Sequence, residues 1–228
     1  MKFSVLIASI LFVCCLLPNI GIAQNKVVVI PLNSGDCNCD QVPTVTSAGQ
    51  VWMDRNLGAV RVAESVDDYH AYGYLYQWGR LADGHETGHS PTTNTRSSGS
   101  VPGHGDFIIT DTDWISLLPN NNLWQGASGA NNPCPAGFRI PTAGEWQTEI
   151  DSWNSLDSAS AFASPLKLVL VGQRQGSDGI VYSAGIYGKY WSSTVEGVQS
   201  KNLFFDDGDA YIANAARGWG FSVRCIKN

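Results

Sequence analysis

The stretch His85-Glu86-Thr87-Gly88-His89 matches H-E-x-x-H, the motif of zinc peptidases, letter for letter. In such enzymes both histidines lie on one face of a helix and bind zinc, and the glutamate acts as the general base. Helix formation is disfavoured here, because Gly84, Gly88 and Pro91 flank or interrupt the stretch. We therefore predict exposed loop histidines. The alternatives are a zinc hydrolase and a looser metal site that adds His104.

Carboxylates offer a second kind of chemistry at two places. Asp206, Asp207 and Asp209 lie in an acid-rich turn, where their oxygens would suit calcium, although Asp-Gly is also a common hairpin turn. Glu145 and Glu149 stand four residues apart, on a helix face that we predict to be exposed. No nucleophile elbow, phosphate loop or dinucleotide fingerprint accompanies them. The sequence thus predicts a protein that is not an enzyme and has no cofactor, with calcium bound by Asp206, Asp207 and Asp209 as the alternative.

Residues 1–23 have the layout of a bacterial secretory signal peptide. Lys2 precedes an apolar run from Val5 to Leu17, and small residues then mark a cleavage site before Gln24. The run is too short to span a membrane. We therefore expect export through this signal and a secreted or cell-surface location.

Export changes the meaning of the cysteines, because disulfides persist in oxidising compartments. Cys14 and Cys15 leave with the signal, unless one of them carries a lipid, and the residues before them are not the small ones that lipid attachment favours. The others are Cys37, Cys39, Cys134 and Cys225. Of the three pairings we favour Cys134 with Cys225, because both lie in well-patterned segments. Cys37 and Cys39 would close a very small ring, and a metal site or a bridge to another chain are the alternatives for them.

Composition limits the partners and the architecture. The formal net charge of −6 and a pI near 5.0 leave no basic footprint for nucleic acid. Hydrophobic residues, at 43%, suffice for a core, and 24 glycines with 10 prolines favour short strands and long loops. We expect no nucleic-acid partner and no membrane span, and an extracellular protein or glycan as the partner.

One helix is predicted from its capping signals. Thr142 and Glu145 are spaced as a capping box, and Trp146, Ile150 and Trp153 then fall on one face. A second, shorter helix is predicted over residues 157–162.

Strand candidates are concentrated late in the chain. They lie at 50–53 and 72–78, and then at 166–171, 180–183, 187–194, 201–205, 211–214 and 221–226. In the last candidate, Phe221, Val223 and Cys225 alternate with Ser222 and Arg224, which predicts that the first three point inward and the other two outward. This pattern of elements is typical of the α+β class.

The domain organisation follows from changes in composition. Residues 24–47 are predicted to form a leader segment and residues 48–228 the globular domain. Within the domain, 82–132 is rich in Gly, Ser, Thr, Asn and His, which predicts a long loop region with a small core of its own. The leader contains an apolar, strand-like run at 27–32 that could pair with a neighbouring chain. A structural surface subunit that self-assembles through 27–32 is therefore the alternative function.

Five blocks of sequence follow one another along the chain: VWMDRNL at 51–57, YLYQWG at 74–79, CPAGFRIPT at 134–142 followed by Glu145 and Trp146, YWSST at 190–194 and GFSVRC at 220–225. In this order they resemble the Fibrobacter succinogenes major paralogous domain family. The resemblance implies a C-type-lectin-like fold: a small twisted antiparallel sheet, one or two helices and long loops. The family has no settled activity. The block at 139–146 is also similar to formylglycine-generating enzymes, but these work through two late cysteines and this chain has only Cys225 there, so the likeness supports the fold and not the activity.

A ligand-binding face is predicted near the C-terminus. In the strand at 201–205, Leu203 and Phe205 share one face, which leaves Asn202 and Phe204 on the other. The region from 187 to 219 also resembles the variable region of lectin-fold proteins that retroelements diversify. The predicted ligand-binding residues are Tyr187, Tyr190, Asn202, Phe204, Tyr211, Asn214 and Trp219. The usual sugar-binding tripeptides of C-type lectins are absent, so we expect a module that binds a protein or a glycan, with calcium-dependent sugar binding as one variant.

Overall fold

A computed structural model of the protein describes residues 42–117 and 121–228. The predicted signal peptide, the run at 27–32, Cys37 and Cys39 lie outside the described residues. Within the segment Pro43–Asn228, which forms one unit, the strands are β1 (Thr44–Ser47), β2 (Gln50–Met53), β3 (Tyr76–Gln77), β4 (Thr92–Thr93), β5 (Phe107–Ile108), β6 (Phe138–Arg139), β7 (Gln173–Arg174), β8 (Val181–Tyr182), β9 (Gly188–Glu196), β10 (Gln199–Phe205), β11 (Ala210–Ala216), β12 (Gly220–Phe221) and β13 (Ile226–Lys227). The helices are α1 (Ala143–Asp151) and α2 (Ser158–Ala163), and a single 3₁₀ turn spans Tyr69–Ala71.

The strands form several small sheets. One has the order β1-β2-β13-β6, a second β11-β10-β9 and a third β3-β12-β7-β8, all antiparallel, and β4 pairs with β5 in parallel. Strand β1 belongs to the first sheet although its residues lie in the predicted leader. The fold is mixed, mostly sheet with two helices, which confirms the α+β class. None of the helices in the described ranges is long and apolar enough to cross a membrane.

Helix α1 begins as predicted. The Thr142 side chain accepts a hydrogen bond from the Glu145 amide and the Glu145 side chain accepts one from the Thr142 amide, which completes the capping box. Trp146 is fully buried and packs against Trp52, with ring centroids 5.0 Å apart. The prediction that Glu149 is exposed was wrong: it is fully buried, on the same face as Trp146, and accepts a hydrogen bond from the Trp153 indole at 3.2 Å.

The C-terminal segment departs from the predicted alternation. Ser222 and Arg224 are as buried as Phe221, Val223 and Cys225, because the segment runs through the middle of the structure and is covered on both sides. The predicted outward direction of Ser222 and Arg224 was therefore wrong.

Arg224 and Asn56 form a buried polar centre. The Arg224 Nε and Nη2 atoms donate to Asn56 Oδ1 at 3.0 and 2.9 Å, and Nη1 donates to the Leu166 carbonyl at 2.7 Å. Asn56 Nδ2 in turn donates to the Ala71 carbonyl and to the Tyr190 hydroxyl. Burial lowers the Arg224 pKa to about 10. Asn56 thus links the guanidinium to two distant parts of the chain.

Residues 166–171 are buried but are not a strand, contrary to prediction. Lys167 adopts a positive φ of 50°, which breaks an extended run. The Tyr190 hydroxyl accepts a hydrogen bond from the Val169 amide and donates one to the Val169 carbonyl, both at 3.0 Å. A tyrosine side chain therefore takes the place of a neighbouring strand for this residue.

The predicted disulfide between Cys134 and Cys225 is present. The two Cα atoms are 5.9 Å apart and the residues are separated by 91 positions. The bond joins the segment before β6 to the segment before β13, two strands that pair directly. It therefore closes a long covalent loop of the chain that contains α1, β9, β10 and β11.

Candidate functional site

The H-E-x-x-H stretch is not helical, and His85 is fully buried, so the prediction of an exposed histidine was wrong at this position. His85 Nε2 accepts a hydrogen bond from the Gln77 amide at 3.0 Å. The proton of the neutral ring must then lie on Nδ1, which is 2.7 Å from Asp83 Oδ1. Both ring nitrogens are therefore occupied by the protein itself. His89, as predicted, is exposed.

Among the described residues, one group of three or more His, Cys, Asp or Glu side chains has potential metal-ligand atoms that all lie within 4.8 Å of one another. It consists of Asp83, His85 and Glu86. A metal there would need a free ring nitrogen on His85. Nε2 accepts from the Gln77 amide and Nδ1 carries the proton that faces Asp83, so neither nitrogen can bind an ion without the loss of one of these two contacts. Arg80 also holds Asp83, with Nη2 2.8 Å from Oδ2. The arrangement is that of a buried structural histidine.

The pKa values of the pair are consistent with this role. Burial lowers the His85 pKa to about 4, although the hydrogen bond to Asp83 opposes the shift. The Asp83 pKa falls to about 2, because hydrogen bonds and charge from His85 and Arg80 outweigh the raising effect of burial. At neutral pH the histidine is neutral and the aspartate is charged.

A loss of stability in mild acid follows from the His85 shift. The unfolded chain takes up a proton at this residue near pH 6.5 and the folded protein only near pH 4. We therefore expect the free energy of unfolding to fall by about 3 kcal/mol between pH 6.5 and pH 4. A chemical denaturation series across this range measures it, and His85→Gln should flatten the curve.

The matched control for this series is His89→Gln, which alters the other histidine of the motif and should leave the curve unchanged. The same proteins can be titrated with zinc. Stoichiometric zinc that is lost in His85→Gln would contradict the assignment of His85 as structural.

The acid-rich turn proposed for calcium connects β10 to β11. Asp206 Oδ1 accepts hydrogen bonds from the Gly208 and Asp209 amides, both at 2.9 Å, so its carboxylate closes the turn. Asp207 and Asp209 are exposed. The three carboxylates do not form one of the closely spaced groups found in the described chain. The turn chemistry accounts for the position of Asp206.

The predicted ligand residues fall into two sets. Tyr187, Phe204 and Trp219 lie around Lys189, and Tyr211 packs against Phe204; we call these five residues the lysine–aromatic cluster. Lys189, Phe204 and Tyr211 are direct neighbours on β9, β10 and β11, so they share one sheet face. The Phe204 ring centroid is 5.6 Å from that of Tyr187 and 5.0 Å from that of Tyr211. Tyr211 is 49% exposed.

The other three predicted residues are not available on this surface. Tyr190 is fully buried and points to the opposite side of β9, where it stacks on Phe205. Asn202 is 1% exposed, and its Nδ2 atom donates to the Ala213 carbonyl at 3.2 Å. Asn214 is exposed, but it pairs with Lys201 and so lies on the opposite sheet face from Tyr211. The prediction of one surface that includes all seven residues was wrong.

Sequence reasoning did not single out Lys189. Its Nζ atom lies 5.3 Å from the ring centroid of Tyr187, 5.8 Å from Phe204, 5.5 Å from Trp219 and 5.0 Å from the buried Phe221. Burial lowers its pKa to about 8. Strand alternation from Tyr187 could have indicated Lys189, since residues two apart share a face.

A separate groove of about 610 Å³ lies on another part of the same unit. Its walls include Tyr69, Tyr72, His89 and Ile180, and none of its lining residues belongs to the lysine–aromatic cluster. Such a volume would hold a small ligand. Like the lysine–aromatic cluster, the groove has exposed apolar side chains at its surface, since Tyr69 and Ile180 are both largely exposed.

No protein-family model, curated protein or solved structure matches the chain. The candidate site is therefore interpreted from its own chemistry.

Proposed function

We propose that the protein is a secreted or surface-exposed binding module, without enzymatic activity, that recognises its ligand through the lysine–aromatic cluster. The observation that carries the proposal is the grouping of three partly exposed aromatic rings, Tyr187, Phe204 and Trp219, around one amine, with Tyr211 packed against Phe204. Aromatic rings supply large contact areas at low cost in conformational entropy, which is why they dominate binding surfaces.

The proposal includes the C-type-lectin-like fold, membership of the paralogous domain family and export through residues 1–23. The antiparallel sheets, the two helices and the long loop region between β3 and β6 support such a fold. The sequence blocks and the signal-peptide layout support the family and the export. A disulfide is also compatible with an oxidising compartment.

A protein ligand fits the cluster better than a glycan. A bound sugar presents many hydroxyl groups, and each one that is buried needs a hydrogen-bond partner. Asn202 and Asn214, which were predicted to supply such partners, are respectively buried and on the other sheet face. Aromatic anchors are instead typical of the centre of a protein interface.

Replacement of both Tyr187 and Tyr211 by alanine tests this function. Peptides enriched on the wild-type protein from a phage-displayed random library should bind the double variant at least about 30-fold more weakly, because the loss of aromatic anchors at an interface centre costs 2 kcal/mol or more. The measurement is the dissociation constant of the synthetic peptides. Melting temperatures should agree within a few degrees, since Tyr211 is half exposed.

The matched control replaces two exposed tyrosines outside the cluster, Tyr69 and Tyr182, with alanine. Peptides that tolerate loss of Tyr187 and Tyr211 but not loss of Tyr69 would place the binding surface at the groove and refute the proposal. A glycan array with the same variants would show whether a glycan, rather than a peptide, depends on the cluster.

A further inference from the structure

The half-buried Lys189 differs from the buried arginines Arg174 and Arg217 in how its charge is satisfied. Arg174 donates to the carbonyls of Gly179, Thr87 and Ser90, and Arg217 donates to Asp113 and Asn121. No hydrogen bond or ion pair to Lys189 Nζ is found among residues 42–117 and 121–228, and its contacts there are with ring faces.

The amine can be reached from outside. Asn202 Oδ1, two residues before Phe204, is a polar atom of the described chain that has neither a hydrogen-bond partner nor contact with solvent. Lys189 Nζ also lacks a hydrogen-bond partner in that part of the chain, but it is not one of these buried atoms. The rings around Nζ at 5.3–5.8 Å belong to Tyr187, Trp219 and Phe204, all of which are partly exposed. A ligand that covers these rings would therefore cover the amine as well.

We propose that Lys189 is the specificity-determining residue of this surface and that it binds the carboxylate of an aspartate or glutamate side chain on a protein partner. The inference rests on the proposed function. A cation held only by ring faces has lost part of its hydration without gaining a counter-charge. When a partner covers the rings and excludes water, a carboxylate supplies that counter-charge and a charge-assisted hydrogen bond.

An acidic side chain also explains why the surface would be selective. The protein carries a formal net charge of −6, so an acidic partner gains little from long-range attraction. Recognition would therefore depend on the one local amine. A neutral or basic group placed at Lys189 would leave the covered charge unpaired or repelled, and such mismatches discriminate strongly between partners.

The pH dependence of binding should carry the signature of this residue. The titratable side chain in contact with Lys189 is Tyr187, just before β9, and Tyr211 lies on the same sheet face behind Phe204; β10 presents Phe204, and the segment at β12 presents Trp219 and Phe221. Burial alone shifts the Lys189 pKa, to about 8, so no neighbouring charge complicates the titration. Binding of an acidic ligand should hold at pH 6–7 and weaken as the pH rises through 8, when the amine loses its proton.

The probes are a phage-displayed library of random dodecapeptides and the synthetic peptides that emerge from it. On the wild-type protein, enriched peptides should share an aspartate or glutamate at one position, and its replacement by asparagine or glutamine should weaken binding at least about 30-fold. Lys189→Met keeps the length of the side chain without the charge, and it should bind the acidic and the amide peptides equally. Lys189→Arg should retain a preference for the acid.

Lys201→Met is the matched control, because Lys201 lies on the adjacent strand and already pairs with Glu196 at 3.3 Å. It should behave as the wild type. If Lys189→Met fails to fold, the pH profile and the salt dependence of the wild-type protein decide the question instead.

The outcomes separate the two proposals. Peptides that depend on Tyr187 and Tyr211 but show no acid preference, or that bind Lys189→Met unchanged, would overturn the role of Lys189 and leave the binding function intact. An acidic glycan such as polygalacturonate that binds the wild type but not Lys189→Met, with no peptide enriched, would overturn the assignment to a protein partner. If no peptide and no glycan depends on the cluster, the binding function itself fails.

Discussion

Replacement of Asn56 by alanine should lower the free energy of unfolding by about 3–5 kcal/mol, the cost of leaving a buried charge without its partner. Asn56 Oδ1 accepts two hydrogen bonds from Arg224, which is fully buried. Alanine removes that acceptor and also the Nδ2 donor to the Ala71 carbonyl and the Tyr190 hydroxyl. Urea denaturation at neutral pH measures the change.

Two further variants show whether the guanidinium is the cause. Asn56→Asp restores the acceptor but not the donor, so its loss of stability should lie between that of the wild type and that of Asn56→Ala. Arg55→Ala is the control, because the side chain of the neighbouring Arg55 is 30% exposed, with an ion pair to Asp54 and a hydrogen bond to the Val60 carbonyl; the expected effect is below about 1 kcal/mol. Equal losses for Asn56→Ala and Arg55→Ala would contradict the assignment of a buried polar centre.

Removal of the Cys134–Cys225 disulfide should cost about 4–5 kcal/mol, because the bond closes a loop of 91 positions and so restricts the unfolded chain. The variant should carry alanine at both positions, since Cys225 is fully buried and a serine hydroxyl there would lack a partner. Thermal and denaturant unfolding with and without the disulfide measure the difference.

A reducing agent provides the control for the disulfide. The stability of the wild-type protein in reducing buffer should approach that of the double alanine variant, which should itself be insensitive to the agent. A wild-type protein that keeps its full stability after complete reduction would show that loop closure contributes little. The lysine–aromatic cluster should still bind its peptides in the folded variant, because neither cysteine lies in it.

Local sequence signals predicted the elements that depend on neighbours in the chain. The capping box at Thr142 and Glu145 has its donors and acceptors within one helical turn, so α1 begins at the predicted place. The second helix is likewise capped by Asp157, whose side chain accepts from the Ser160 amide. The three strands β9, β10 and β11 overlap the predicted runs, since their alternation and the turn at 206–209 are local as well.

Burial of polar residues was not predictable in the same way. Period-two alternation separates the two faces of a strand, but it does not say whether another segment covers the second face. Ser222 and Arg224 are buried because the C-terminal segment is covered on both sides, and His85 because its ring accepts from the Gln77 amide. The burial of each of these residues depends on segments that are remote in sequence or on a loop conformation that no sequence motif specifies.

The sequence by itself determined the α+β class, the capped helix, the Cys134–Cys225 pair and the neighbourhood of the aromatic residues near the C-terminus. Strand alternation already separates Tyr190 from Tyr187 and Asn214 from Tyr211, since each pair is three residues apart. Tertiary structure alone decided which of the other residues share a surface. It sealed Asn202 and placed Lys189 among the rings of Tyr187, Phe204 and Trp219. Which side chains meet depends on the register between neighbouring strands, and which remain open to a ligand depends on the segment that packs over the sheet. Local spacing in the sequence specifies neither the register nor the covering segment.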